Sequence, residues 1–127
     1  MKIVVLAGGL STERDVSFVT GNMVSKALRA KGHQVILLDV FMGYSNKKED
    51  LDGIFDRSEE VSVKVEGIPE TAPDIAKVKA MREDKSDAFF GPNVIEMCQM
   101  ADIVFMALHG ENGENGKVQA ALDLFGV

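Results

Sequence analysis

A single cysteine, Cys98, stands in the 127 residues, so no disulfide can form within the chain. It falls in an apolar helical pattern without a second thiol or a histidine beside it, which suits a reducing compartment and points to the cytoplasm. The only histidines, His33 and His109, lie far apart, and no spacing resembles a zinc site. Basic blocks are missing as well. Lys and Arg number 14 against 20 Asp and Glu, a net charge of -6, which argues against a nucleic-acid partner because phosphate binding needs a surplus of cations on one face. Long hydrophobic runs are also lacking. The first, Ile3 to Ala7, follows Met1-Lys2 directly and is too short for a signal-peptide core or a membrane span, so neither targeting nor a membrane is expected. There is no internal repeat, no Walker-type phosphate loop and no G-x-G-x-x-G.

What is present has the balance of an ordinary soluble domain, with 46% hydrophobic and 27% charged residues. Chains of this size bury roughly two-thirds of the surface their unfolded forms expose, enough for one core without staples. Ile3 to Ala7 is β-branched and aliphatic without alternation, the pattern of a strand buried on both faces of a parallel sheet. Gly8-Gly9 ends it. Val16, Val19, Met23, Val24, Ala27 and Leu28 then recur at helical spacing. Thr12 with Asp15 resembles a capping box, and Lys26, Arg29 and Lys31 precede a left-handed cap at Gly32. Gln34 to Asp39 reads as a second strand, completing a right-handed β-α-β unit.

Residues 41–90 read as a variable insertion, with charge-rich loops around Lys47 to Asp50, an alternating strand candidate at Val61, Val63 and Val65, a turn region from Pro69 to Pro73 and a helix from Asp74 to Glu83. Phe89 and Phe90 are expected as exposed apolar residues. A firmer helix spans Asn93 to Met100, with Val94, Met97, Cys98 and Ala101 on one face. Ile103 to Ala107 is a third buried strand, and Val118, Ala121, Leu122 and Phe125 mark a last helix. The fold class is α/β: a Rossmann-like three-layer domain with a mainly parallel sheet.

In such sheets, ligands bind in the crevice beyond the carboxyl ends of the strands. Two loops there carry reactive groups. The first, from Gly8 to Asp15, offers Glu13; the second, from Leu108 to Gly116, offers His109 just beyond a strand end. If their strands are neighbours, both side chains can face one crevice. A carboxylate and an imidazole together suit a small zwitterion, Glu13 taking an ammonium and His109 donating to a carboxylate. The plainer readings stand beside this: Glu13 as a first-turn residue serving the helix dipole, and His109 as a loop residue satisfied by backbone. Gly113 to Gly116 reads as conformational, Asp39 as strand termination, His33 as solvent-facing, and the methionines as mostly core residues.

These residues also carry a family resemblance. Leu6-Ala7-Gly8-Gly9-Leu10-Ser11-Thr12-Glu13-Arg14-Asp15-Val16-Ser17 looks like the opening motif of D-alanine:D-alanine ligases. Ala107-Leu108-His109-Gly110-Glu111-Asn112-Gly113-Glu114-Asn115-Gly116 is similar to the family's A-L-H-G-x-x-G-E-D-G loop, with Asn115 replacing the usual Asp. The likeness covers residues 1 to about 39 and about 91 to 127. It implies an N-terminal domain of the pre-ATP-grasp type spanning 1–127, with Glu13 and His109 as catalytic and substrate-binding groups. Glu13 would hold the ammonium of the first D-alanine, Val16 would line its methyl pocket, His109 would orient its carboxylate, and Ser17 and Gly110 would complete the binding set.

By the same resemblance, ATP and Mg²⁺ serve the full-length enzyme and are held by downstream ATP-grasp domains absent from this chain. The fragment by itself is expected to be inactive. The family activates the first carboxylate as an acyl phosphate, which the second amine attacks to give a dipeptide for peptidoglycan. It commonly forms homodimers. Ligases that join D-alanine to D-lactate or D-serine look similar across this region. A stand-alone Rossmann-like small-ligand module would share the element pattern, although a receiver-type module needs an acidic pair where Gly8-Gly9 stands.

Overall fold

Unbroken aliphatic runs at Ile3 to Ala7 and Val35 to Leu38 form strands that a core can cover on both faces. In the computed structural model, which describes residues 1–9, 14–44, 53–63, 90–91, 93–107, 117–124 and 126, they are β1 (Lys2–Ala7) and β2 (Gln34–Asp39). With β3 (Ile103–Met106) they make a three-stranded sheet of order β2-β1-β3. Both pairings are parallel. The register runs from Lys2 opposite Gln34 to Ala7 opposite Asp39, and from Ile3 opposite Ile103 to Leu6 opposite Met106.

Helix α1 (Arg14–Ala30) covers one face, where Phe18, Val24 and Leu28 pack on Ile3, Val5, Ala7, Val35 and Leu37. On the other face Val4, Leu6, Ile36 and Leu38 meet Ile54 and Phe55 of a 3-10 turn (Ile54–Arg57). A single helical turn, α2 (Ser58–Val61), follows it. Val94, Met97 and Cys98 of α3 (Val94–Met100) and Leu122 of α4 (Lys117–Leu124) fill the same core. Helix, sheet, helix is the three-layer α/β arrangement expected.

The buried stripe of α1 differs from the aliphatic one expected. Its fully sheltered positions are Ser17, Gly21 and Ser25, while Val16 and Met23 are 43% and 67% exposed. The reason is proximity: a Cβ on Gly21 would sit 2.8 Å from Leu37 Cδ1 and 3.2 Å from Ala7 Cβ. Small residues let the helix lie close to the sheet, and the larger ones flank the contact. Gly32 takes the left-handed conformation (φ 90°) that ends α1.

The strand expected at Val61, Val63 and Val65 is corrected. Val61 closes α2, and Ser62 caps that turn, its backbone N–H and its hydroxyl both donating to the Ser58 carbonyl, at 3.2 and 2.7 Å. Ser62 and Val63 then run along the outer edge of β2, where Leu37 N–H donates to Ser62 Oγ (2.9 Å) and Val63 N–H to the Leu37 carbonyl (2.9 Å). The edge groups of Leu37 are thereby satisfied by two residues that are not themselves in a strand.

Two further expectations change. Phe90 packs, half-buried, against the core rather than standing exposed. β3 is buried on one face only: Val104 and Met106 join the core, whereas Ile103 and Phe105 are 47% and 43% exposed because α1 lies across β1 and β2. Residues 64–89, with the Asp74 to Glu83 helix, the Pro69 to Pro73 turn, Val65 and Phe89, lie outside the described residues, as do Lys47 to Asp50, Thr12 and Phe125.

Candidate functional site

Because β1 pairs directly with β3, the chain leaves the sheet at Ala7 and at Met106 side by side. The neighbour condition on which the zwitterion reading depends is met. The loops that carry Glu13, His109 and Gly110, with Asn115, lie outside the described residues, so the geometry of this edge is that of their anchors.

Gly8 has φ 85°, and a Cβ there would meet Phe18, Asp39 and Arg14 within 2.8–3.1 Å. Only glycine fits both the conformation and the space. The Gly8 N–H donates to Ser17 Oγ at 2.9 Å, and that hydroxyl donates to the Ala107 carbonyl at 2.6 Å. The family resemblance counts Ser17 among the substrate contacts. The structure seats it below the loops, fully buried, with its hydroxyl between two backbone groups. Val16, in the first turn of α1, is open to solvent beside the loop anchors.

One constellation at this edge escapes sequence reasoning. Asp39, buried at the end of β2, accepts from the N–H groups of Phe41 (3.0 Å) and Met42 (3.1 Å), which ends the strand as expected. It also pairs with Arg14 through both guanidinium NH groups. Arg14 Nη1 donates in addition to the Gly9 carbonyl at 2.7 Å, and its guanidinium lies 5.0 Å from the centre of the Phe18 ring. The first loop is thus held at Gly8 by Ser17 and at Gly9 by Arg14. A charge closing an aliphatic run, as Asp39 does, is the one signal of the pair that the sequence carries.

His33 lies at the opposite end of the sheet, half-buried, where its Nδ1 meets the N-terminal amine at 3.2 Å. It is remote from the carboxyl edge. Cys98 is buried in the core, and burial, with Glu96 nearby, pushes its thiol up to about 12. Such a thiol stays protonated and unreactive. A cavity of about 370 Å³ runs along β3 between α3 and α4, and another of about 450 Å³ lies near Arg29, His33, Phe55 and Arg57. Neither gathers the anchors just described. Among the described residues no group of three His, Cys, Asp or Glu side chains could hold a metal, and the buried carboxylate Asp39 is already engaged by Arg14.

Known proteins give this edge a context. The family described as D-ala D-ala ligase N-terminus matches residues 2–127. A D-alanine–D-alanine ligase of Lacticaseibacillus casei is 48% identical over 128 residues, covering all of this chain and 35% of that protein. One from Pediococcus pentosaceus is 44% identical over 98% of this chain and 35% of its own length. One from Caldicellulosiruptor bescii is 31% identical over the whole chain and 32% of its own length. The chain therefore spans about a third of these relatives, and with both motifs anchored on adjacent strands it belongs to the D-alanine–D-alanine ligase N-terminal domain family.

Proposed function

We propose that the protein carrying this chain joins two molecules of D-alanine in an ATP-dependent reaction, and that this domain holds the first of them. The observation that carries the reading is the direct pairing of β1 with β3, which sends the two family motifs out of the sheet side by side. In that crevice Glu13 takes the ammonium, His109 donates to the carboxylate, Val16 borders the methyl group and Gly110 offers backbone at close range. Charge on both ends of the ligand explains why an acid and an imidazole are used together.

The domain's part is binding and orientation. Holding two reactants in line accounts for a large share of the acceleration in such reactions. Nucleotide and Mg²⁺ belong, on this reading, to the downstream ATP-grasp domains, where the metal and its phosphates would activate the first carboxylate. The protein works in the cytoplasm as a homodimer, and the buried free thiol of Cys98 suits reducing surroundings. No described helix is long and apolar enough to cross a membrane.

The test is product analysis on the full-length protein containing this chain, supplied with MgATP and D-alanine, alone or with D-lactate or D-serine. D-alanyl-D-alanine as the main product is expected. A depsipeptide or a D-serine product would move the assignment to a sister activity, and tight binding of NAD or FMN with no ligation would leave a small-ligand module instead.

A further inference from the structure

In a parallel pair the ladder bonds alternate regularly between strands. Between β1 and β3 the Ala107 N–H donates to the Leu6 carbonyl at 2.8 Å, and the next bond in that register would run from the Gly8 N–H to the Ala107 carbonyl. It is replaced. Ser17 Oγ stands between these two groups, accepting from Gly8 at 2.9 Å and donating to Ala107 at 2.6 Å. One hydroxyl, reaching down from α1, bridges the two groups in place of a direct bond.

We propose that Ser17 is a positioning residue: its hydroxyl wedges β1 and β3 apart at the carboxyl edge and fixes the spacing between the loop that carries Glu13 and the loop that carries His109. This rests on the ligase reading above and adds to it the element that sets the width of the first D-alanine site. A hydroxyl is suited to the task because it accepts and donates through the same atom. Its full burial keeps water from taking its place. Removing it leaves a buried N–H and a buried carbonyl that must close on each other or remain unsatisfied, and either outcome changes the distance between the loops.

The experiment compares Ser17→Ala, Ser17→Cys and Ser25→Ala with wild type in the full-length protein, measuring kcat and KM for the first D-alanine and for ATP. Ser25 is the control: it lies two turns along the same buried stripe of α1, and its hydroxyl has no hydrogen-bond partner among the described residues. For Ser17→Ala the KM for the first D-alanine rises about tenfold, since displacements of an ångström or less in a binding site have effects of that order or greater. KM for ATP stays unchanged. Ser17→Cys, which keeps an atom between the backbone groups but is a weaker donor, falls between the two and carries the comparison if Ser17→Ala does not fold. Ser25→Ala keeps the wild-type KM.

A Ser17 variant that lowers only the active fraction, with KM for D-alanine unchanged, overturns the proposal. So does an equal rise in Ser25→Ala. If wild type forms no dipeptide, the underlying reading fails as well, and that result is visible before any variant is measured.

Discussion

Asp39 ends an apolar strand, and its carboxylate is met by two backbone N–H groups and both NH groups of Arg14. With the pair largely shielded from water, removing one partner strands the other. Asp39→Ala is expected to cost about 3–5 kcal/mol in urea unfolding, and Arg14→Met combined with Asp39→Ala less than the sum of the single changes. Additive losses would show that the two do not act as a pair. Cys98 gives a second expectation at this scale. Its thiol is raised from 9.0 to about 12, mainly by burial. The folded protein therefore keeps a proton that the unfolded chain gives up, and this contribution to stability is complete below pH 9 and lost as pH rises toward 12. Near neutral pH Cys98 should resist a thiol reagent until denaturant is added; rapid labelling of the native protein would contradict its placement. Burial of Cys98 is legible from its apolar helical surroundings. The Arg14–Asp39 pair is not, because 25 residues separate the partners and only the register of β1 with β2 brings them together.

β1 and β2 can be read from unbroken aliphatic runs, because burial on both faces leaves no polar position within the run to confuse the pattern; β3 reads the same way although only one of its faces is covered. Helix α1 can be located from sequence but not oriented. Periodicity assumes that the large apolar residues are the buried ones, whereas close packing on the sheet reserves the centre of the contact for Ser17, Gly21 and Ser25. The difference can be measured. Gly21→Ala gains roughly 1 kcal/mol of helix propensity, yet its methyl group would meet Leu37 at 2.8 Å, and overpacking of that kind typically costs about 1–3 kcal/mol. A net loss of stability is expected for Gly21→Ala, while Met23→Ala, at an exposed position, stays within about 0.5 kcal/mol of wild type. Stabilisation by Gly21→Ala would place the helix further from the sheet. The segment at Ser62 and Val63 departs from its alternating pattern for a related reason: Val61 closes a helical turn, and Ser62 and Val63 meet the edge of β2 through two hydrogen bonds at Leu37.

At the scale of the molecule, three parallel strands between helical layers place the ends of β1 and β3 next to each other, and the proposed chemistry rests on that adjacency. Glu13 and His109 stand out in the sequence because each follows a strand end, where backbone groups and helix N-termini converge on a ligand. How the two loops are held cannot be read there: the ladder bond that Ser17 replaces is visible only once the register is known. The central claim is that these loops grip opposite ends of one D-alanine. It is tested most directly by measuring kcat/KM for the first D-alanine in the full-length protein with Glu13→Gln and with His109→Ala. On that claim each change removes a charge-assisted contact, and a fall of about 100-fold is expected for each, corresponding to about 3 kcal/mol. Values for both variants within about twofold of wild type, a difference of about 0.4 kcal/mol, would contradict the claim and put the amino-acid site elsewhere.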